Sequence, residues 1–179
     1  MTLLEAEIWG IAEAGDGYMV FVKPRESEFS VPIFIGQLEA QAILIGFGGI
    51  NIPRPLTPDL FHSLIKDAGY ELRRAEINEL RDNTFFGALV FTKPGGGELV
   101  LDSRPSDAMA MALRCQSPLF IAAEVVEEAG ILAEDLDGPI QPDTETQKSL
   151  LQMELDEAVA AENYEKAAEI RDRLNLLGH

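Results

Sequence analysis

An internal repeat constrains the fold of this chain more than any other feature. A strand, a second strand with a Lys-Pro turn, a third strand and a helix occur twice, about 70 residues apart. The first copy contains Ala6-Glu7-Ile8, Val20-Phe21-Val22-Lys23-Pro24, an apolar stretch from Val31 to Ile35 and a helix beginning near Gln37. The second contains Ala75-Glu76-Ile77, Val90-Phe91-Thr92-Lys93-Pro94, Leu99 to Leu101 and a helix beginning near Arg104. Each copy alone is too small to bury one face of its sheet, so the repeat predicts a single α+β domain of two β-β-β-α units.

Short turns rich in Gly, Asp and Asn join the first two strands of each copy. They are Gly15-Asp16-Gly17 in the first copy and Arg81-Asp82-Asn83 in the second. Such turns are typical of two-residue hairpins, so we expect a mostly antiparallel sheet.

A third helix is predicted between the two copies. Thr57 is suited to its N-cap, Pro58 and Asp59 to its first turn, and Gly69 to its end. A loop rich in Gly and Pro precedes it, and Arg54 is the one charged residue of that loop. Such loops often border functional sites, although plain connectors have the same composition.

The composition changes after residue 135. Pro139 and Pro142 indicate a linker over residues 136–143, which separates a domain at 1–135 from a tail at 144–179. The tail lacks Pro and Gly up to Leu177, and its apolar residues recur at helical spacing. With a turn at Ala161-Glu162-Asn163, this pattern predicts an α-helical hairpin. Its apolar stripe is too short to be stable alone, so it is expected to pair with another protein, with its own domain or with a second copy of the chain.

The charge of the chain restricts its partners. Asp and Glu number 31 against 14 Lys and Arg, and the formal net charge is −17. Proteins that bind nucleic acid tightly usually show a basic surface, so nonspecific binding of this kind is disfavoured. An acidic nuclease remains compatible with the charge if metal ions screen its site or a few arginines create a local positive patch.

The remaining composition is that of a globular protein. The hydrophobic fraction is 46%, which is enough for a core, and no apolar run approaches the roughly 18 residues of a membrane span. Glu5 and Glu7 stand where a signal peptide would be basic, and the lone Cys115 can form no internal disulfide. We therefore expect a cytoplasmic protein with Cys115 as an apolar filler and without membrane attachment.

The run from Asp102 to Asp107 concentrates more chemistry than any other stretch. Asp102, Ser103, Arg104, Ser106 and Asp107 lie where a strand is followed by a helix. A helix N-terminus attracts phosphate through its free N–H groups and its dipole. The same residues also suit a purely structural helix start, with Ser103 or Arg104 as N-cap and Pro105 in the first turn. The two interpretations are compatible.

Two resemblances to known families are specific. Leu151 to Leu174 is similar to the UVR motif of excinuclease subunits B and C. That resemblance implies a helical hairpin that binds a protein partner, with the positions recognisable in this chain at Tyr164, Ala167, Ala168, Ile170 and Arg171. It implies nothing about catalysis.

The domain itself resembles the bifunctional nuclease family. The resemblance rests on Gly36 to Ala40, on Arg54 to Leu60 and on Asp102 to Ala108. It implies hydrolysis of phosphodiester bonds in DNA and RNA. The family pattern commonly has Thr-His-Asp where this chain has Thr57-Pro58-Asp59, and His62 follows one turn later on the same predicted helix. His62 is then either a substitute proton-transfer group or an isolated surface residue.

These observations define a candidate site. Hydrolysis of a phosphodiester needs a positioned water, stabilisation of the phosphoryl charge and help for the leaving oxygen. The predicted catalytic residues are Glu39, Asp59, Asp102, Arg104 and Asp107, and the predicted substrate contacts are Arg54, Ser103 and Ser106. Of the carboxylates, Glu39, Asp59 and Asp102 are the predicted ligands of Mg²⁺ or Mn²⁺. Each acid also has a structural alternative, either in a helix first turn or in a salt bridge.

The sequence supports a second functional class. A non-catalytic adaptor or regulatory module acting through the hairpin would explain the acidic charge, the absent His and the tail motif. A small-molecule phosphate site is a third possibility. A homo-oligomer is also compatible with the hairpin.

Overall fold

Eight strands form one sheet in the computed structural model, which describes residues 2–50, 52, 54–135, 144–160 and 162–176. The strands are β1 (Leu3–Ala14), β2 (Gly17–Pro24), β3 (Phe29–Ile35), β4 (Glu71–Arg81), β5 (Thr84–Thr92), β6 (Glu98–Ser103), β7 (Leu119–Ala122) and β8 (Ile131–Leu132). The helices are α1 (Gln37–Phe47), α2 (Thr57–Asp67), α3 (Pro105–Cys115), α4 (Ala123–Ala129), α5 (Thr144–Ala160) and α6 (Tyr164–Leu176). The strand order is β6-β5-β4-β7-β1-β2-β3-β8, and β4 with β7 is the one parallel pair among the described strands. The predicted α+β class with a mostly antiparallel sheet is confirmed.

The predicted repeat is confirmed in the order and placement of the elements. The meanders β1-β2-β3 and β4-β5-β6 lie on either side of β7, and a helix follows each of them. The pairing register shifts between Ile8 and Gly10 in β1 and between Ile77 and Glu79 in β4. Both shifts come directly after the Ala-Glu-Ile run, so the two copies share a bulge as well as a topology.

The two Lys-Pro runs do not occupy equivalent positions. Pro24 pairs with Ala6, whereas Ala75 pairs with Leu89, so Pro94 lies beyond the end of its strand. The residue that pairs with Ala75 and the residue that matches Pro24 in sequence are therefore five positions apart. Because side chains alternate between the two faces of a sheet, an odd-numbered offset places matched residues on opposite faces. Val20 therefore faces the main core, while on β5 it is Phe91 that does so. The sequence match found the repeated strands but placed them out of register.

The hairpin turns form as predicted. Gly15 has φ 63°, and Asp82 and Asn83 have φ 50° and 58°. Positive φ at the central residues gives a turn whose twist matches that of the flanking strands.

The strand β7 was not predicted. It comprises four residues and joins the two units by pairing antiparallel with β1 and parallel with β4. So short an apolar run carries no periodicity, and its partners lie far away in sequence.

The helices α1 and α3 pack side by side against the sheet. They bury Ala40, Ile43 and Leu44 from α1 and an Ala- and Met-rich stripe from α3. Glu39 meets Arg104 at their beginnings, and Gly46 lies against Leu113 near their ends. The two helices therefore run in the same direction, and their N-termini open at one place.

The helix α2 begins one residue earlier than predicted, with Leu56 and not Thr57 as N-cap. The reason is Asp59, the third helical residue, whose Oδ2 accepts a hydrogen bond from the Leu56 N–H at 2.8 Å. A carboxylate at this position satisfies the first free N–H and makes a hydroxyl at the N-cap unnecessary.

The tail is a helical hairpin, as predicted. The helices α5 and α6 share a small core of Leu151, Ala158, Ala167 and Ile170, and Lys166 on α6 pairs with Glu154 on α5 at 3.0 Å. Glu162 in the turn has φ 56°. The predicted linker at 136–143 lies outside the described residues. Of the helices that the structure describes, none is long and apolar enough to cross a membrane.

Candidate active site

Three predicted site residues meet where α1 and α3 begin. Arg104 Nη1 lies 2.7 Å from Glu39 Oε1, and the Nε and Nη2 of Arg104 lie 2.8 and 3.2 Å from the two carboxylate oxygens of Asp107. We refer to Glu39, Arg104 and Asp107 as the Arg104 cluster. The Arg104 side chain is 63% exposed, so this guanidinium is accessible from solvent while both of its edges are engaged.

The cluster follows from where acids occur in the two helices. Glu39 and Asp107 are each the third residue of their helix, and the side chains of the N-cap residues Gly36 and Arg104 make no capping hydrogen bond to the helix backbone. Each carboxylate therefore lies at an open, electropositive helix end. The repeat brings the two ends together, and Arg104 links them.

Electrostatics hold this arrangement in its charged form. The hydrogen bond from Arg104 lowers the pKa of Glu39. A second hydrogen bond, which the carboxylate accepts from the backbone N–H of Glu39 itself, lowers it further. Hydrogen bonds to Asp107 and, with a smaller effect, to Glu39 raise the pKa of Arg104. The cluster is thus a cation held between two anions at neutral pH.

Gly36 makes room for the Glu39 carboxylate. A Cβ at position 36 would lie 2.6 Å from Glu39 Oε2. A side chain there would displace this carboxylate from its position at the N-terminus of α1.

Two predicted substrate contacts lie deeper than expected. Ser103 Oγ is buried and has no hydrogen-bond partner among the described residues, and a Cβ at Gly87 would lie 3.3 Å from it. Ser106 is buried within the first turn of α3. Neither hydroxyl is presented to solvent, so direct substrate contact by these serines requires a local rearrangement.

Asp59 lies away from the Arg104 cluster. Its Oδ1 is 2.6 Å from Arg114 Nε, at the far end of α3. Arg104 and Arg114 are ten residues apart, which corresponds to about 15 Å along a helix. The predicted grouping of Asp59 with Arg104 is corrected accordingly: Asp59 connects α2 to the end of α3.

Arg114 is a residue that the sequence interpretation missed. Its side chain is 6% exposed, and Nη1 donates to the carbonyl oxygens of Ala42 and Ala110. It therefore fastens α1, α2 and α3 together. The available signal was its place four residues after the buried Ala110, because an arginine on a buried helix stripe needs an acidic partner.

Two further predicted residues are outside the cluster. Asp102 is exposed on β6 together with Glu98 and Val100, whereas the alternate residues Leu99 and Leu101 face the core. Among the described residues, no hydrogen bond or ion pair joins Asp102 to Arg104. Arg54 is exposed at a bend before α2. Among the described residues, neither Asp102 nor Arg54 contributes a hydrogen bond or an ion pair to the Arg104 cluster.

The predicted metal set is likewise not assembled. Glu39, Asp59 and Asp102 lie in three separate places, and the described residues include no group of three or more Asp, Glu, His or Cys able to hold a metal ion. Glu39 and Asp107 are the two carboxylates that share a location. Mg²⁺ is commonly held by one or two carboxylates together with substrate phosphates. Glu39 and Asp107 are therefore the predicted residues that are still able to hold such an ion together.

Comparison with known proteins identifies the family. The family model described as Bifunctional nuclease domain matches residues 20–134, which contain the whole Arg104 cluster. The chain belongs to the bifunctional nuclease domain family. The predicted resemblance is thereby confirmed. The family match begins within β2 and ends near the end of the domain predicted at 1–135.

Relatives of this family member differ in length. An uncharacterized protein of Mycobacterium tuberculosis is 35% identical over 117 residues, which are 65% of this chain and 69% of that protein. Bifunctional nuclease 2 of Oryza sativa subsp. japonica is 29% identical over 172 residues, covering 84% of this chain and 53% of the rice protein. Bifunctional nuclease 2 of Arabidopsis thaliana is 26% identical over 165 residues, covering 80% of this chain and 50% of the Arabidopsis protein. The chain thus spans about half the length of the plant relatives.

The tail matches the UvrB/uvrC motif over residues 145–179. Of its four predicted partner contacts, Tyr164 and Arg171 are exposed, and both border an open groove of about 610 Å³ with Val159. Ala167 and Ile170 are 8% and 2% exposed and belong to the core of the hairpin. Both residues help to hold α5 and α6 together, and Ala167 also lines the groove, so contact of these two residues with a partner stays a prediction.

Proposed function

We propose that this protein hydrolyses phosphodiester bonds in nucleic acid at the Arg104 cluster. The observation that carries the proposal is the meeting of two helix N-termini at an exposed arginine, within the family's matched region. Helix N-termini and a guanidinium both attract phosphate oxygens. The names of the plant relatives support nuclease chemistry as the class of reaction.

The two carboxylates occupy the place that a substrate phosphate would take. Glu39 and Asp107 neutralise Arg104 and lie at the two positive helix ends. A phosphodiester that binds Arg104 releases at least one of them. The released carboxylate is then able to accept a proton from the water that attacks phosphorus, while Arg104 stabilises charge on the phosphoryl oxygens. The ester P–O bond breaks, and the carboxylic acid returns the proton to the leaving oxygen.

A divalent ion is proposed as a cofactor, held by whichever of Glu39 and Asp107 stays in place when the other is released. Such an ion would reduce the repulsion between a phosphate and a chain of net charge −17 and would supply Lewis-acid stabilisation. Because the charge disfavours tight nonspecific binding, we expect the affinity for nucleic acid to be weak and to depend on salt.

The test is cleavage of single-stranded and duplex DNA and RNA with and without a chelator. Arg104→Ala, Glu39→Gln and Asp107→Asn are compared with wild type, and Arg81→Ala is the matched control. Arg81 has a similar exposure of 59%, and it also pairs with an acid, Glu79. Loss of one electrostatic donor typically lowers the rate by about 10² to 10³, so we expect that loss for Arg104→Ala and no comparable loss for Arg81→Ala. Undiminished activity in folded Arg104→Ala would refute the assignment of the site.

The competing function is that of an adaptor without catalysis. The specific observation in its favour is the hairpin groove, where Tyr164 is 69% exposed beside Val159. A wild-type protein inactive on every substrate with Mg²⁺ or Mn²⁺, yet binding a protein through this groove, would establish the adaptor. The cytoplasmic location and the oligomeric state stay predictions.

A further inference from the structure

A cavity of about 350 Å³ lies apart from the Arg104 cluster. It is bounded by the second half of α2, the end of α3 and the beginning of β4. His62, Lys66 and Arg73 all line it. The cavity thus contains two of the 14 Lys and Arg residues and one of the two His residues of a strongly acidic chain.

The charge balance of this cavity is positive. Glu71 is its one acidic lining residue, against Lys66 and Arg73. Among the described residues, neither cation forms an ion pair, unlike Arg104 and Arg114, whose guanidinium groups are both engaged by acids. Two free cations beside one cavity favour an anionic ligand.

Neutral donors and an apolar wall complete the cavity. Ser117 lines it, and the Ser117 Oγ is buried without a hydrogen-bond partner among the described residues. Tyr70 contributes a phenol, while Ile65 and Leu72 contribute apolar surface. A buried hydroxyl without a partner is costly, and a rotation of the Ser117 side chain toward the cavity would let a ligand oxygen satisfy it. The volume is at the lower end of the range for small-molecule sites.

We propose that this cavity binds a phosphate monoester of mononucleotide size. The phosphate lies between Lys66 and Arg73, with the Ser117 hydroxyl as an additional donor, and the organic part lies against Ile65 and Leu72. A monoester carries up to two negative charges and three acceptor oxygens, which matches two cations and a hydroxyl. The site does not depend on the hydrolytic activity proposed at the Arg104 cluster.

Binding is tested by calorimetry on the full chain, with chelator present so that no divalent ion takes part. The ligands are adenosine 5′-monophosphate, adenosine and inorganic phosphate. We expect the monophosphate to bind more tightly than either of the other two. Adenosine or inorganic phosphate binding as tightly as the monophosphate, or no binding of the monophosphate, would overturn the proposal.

A matched pair of double variants separates local contacts from net charge. Lys66→Gln/Arg73→Gln is expected to weaken monophosphate binding by about tenfold or more, because it removes two charge-assisted contacts. Lys23→Gln/Arg25→Gln removes the same charge from β2 and its following turn and is expected to leave the affinity unchanged. An equal loss in both double variants would overturn the proposal.

Three more measurements sharpen the result. Ser117→Ala is expected to weaken binding severalfold without a change in melting temperature, and an undiminished affinity would remove Ser117 from the site. Arg104→Ala is expected to bind the monophosphate like wild type. This last variant distinguishes failure of the cavity proposal from failure of the active-site proposal. A 5′-phosphorylated trinucleotide then shows whether the natural source is a free mononucleotide or a strand end.

Discussion

At the scale of single residues, the site is built on acids at one position of a helix. Glu39, Asp59 and Asp107 are each the third residue of α1, α2 and α3, and an arginine engages each of them. The two arginines that form these pairs differ in burial. Arg104 is exposed between its two acids, whereas Arg114 is buried against Asp59. Exposure makes the first arrangement suitable for exchange with a ligand, and burial makes the second a structural connection.

The lowered pKa of Glu39 predicts how its contribution to stability varies with pH. The folded value lies below the ordinary value of 4.5, so the contribution is fully present above that pH and is lost as the pH falls through the folded pKa. Glu39→Gln should therefore cost less than about 1 kcal/mol near neutral pH, since Arg104 is exposed, and should cost less still as the pH falls through the lowered pKa of Glu39. Denaturant unfolding of both proteins across pH measures the difference. In an Arg104→Gln background the difference should shrink to the part that the backbone hydrogen bond of Glu39 supplies, and a cost that grows on acidification would contradict this origin.

At the scale of elements, close contact between α1 and α3 sets the geometry of the cluster. Gly46 faces Leu113 and Arg114, and a Cβ at position 46 would lie 3.1 Å from Leu113 Cβ and 3.0 Å from Arg114 Nη1. The glycine is therefore required by the approach of the helices and not by its own backbone conformation. Arg114 then fastens the pair to α2 through Asp59.

Gly46→Ala tests this packing. Helix propensity alone predicts a gain of about 1 kcal/mol for Gly→Ala inside a helix. The contact with Leu113 and Arg114 predicts the opposite, a net loss of about 1 to 2 kcal/mol from overpacking. Denaturant unfolding of Gly46→Ala, Leu113→Ala and the double variant gives the coupling between the two positions. We expect a favourable coupling, and a stabilised Gly46→Ala would show that the helices separate freely at this point.

These elements also show what the sequence could and could not predict. The beginnings of α1 and α3 were predictable because Pro105, Glu39 and Asp107 are local signals. The contact between Glu39 and Arg104 spans 65 residues and was predictable only through the repeat. The strand β7 and the bond between Arg114 and Asp59 depend on tertiary placement, which no local pattern encodes. The predicted grouping of Asp102 with Arg104 was wrong. Alternate side chains of a strand point to opposite faces, and the chain enters a helix directly after β6, so residues close in sequence need not meet.

At the scale of the whole molecule, two hydrophobic cores contain most of the described apolar interior. The larger core joins the sheet to α1, α2, α3 and α4, and the smaller one lies between α5 and α6. The two share no residue. The match to the UvrB/uvrC motif begins at residue 145, at the start of α5, and contains every residue of the smaller core, so the division in packing agrees with the division between the two family matches.

This division predicts the effect of removing the tail. Deletion of residues 141–179 takes away the smaller core entirely and none of the larger one, so the thermal transition of the remaining domain should shift by less than about 2 °C, which corresponds to under about 1 kcal/mol. The isolated tail should lose much of its helix, because helices of 17 and 13 residues with a core of a few side chains are marginal in water. Calorimetry of the domain and circular dichroism of the tail peptide measure both effects. A large fall in the melting temperature of the domain would show that the tail completes the core of the domain. A tail that gains helix only when a protein partner is added would instead place its stability in the complex, as expected for a groove bordered by Tyr164 and Arg171.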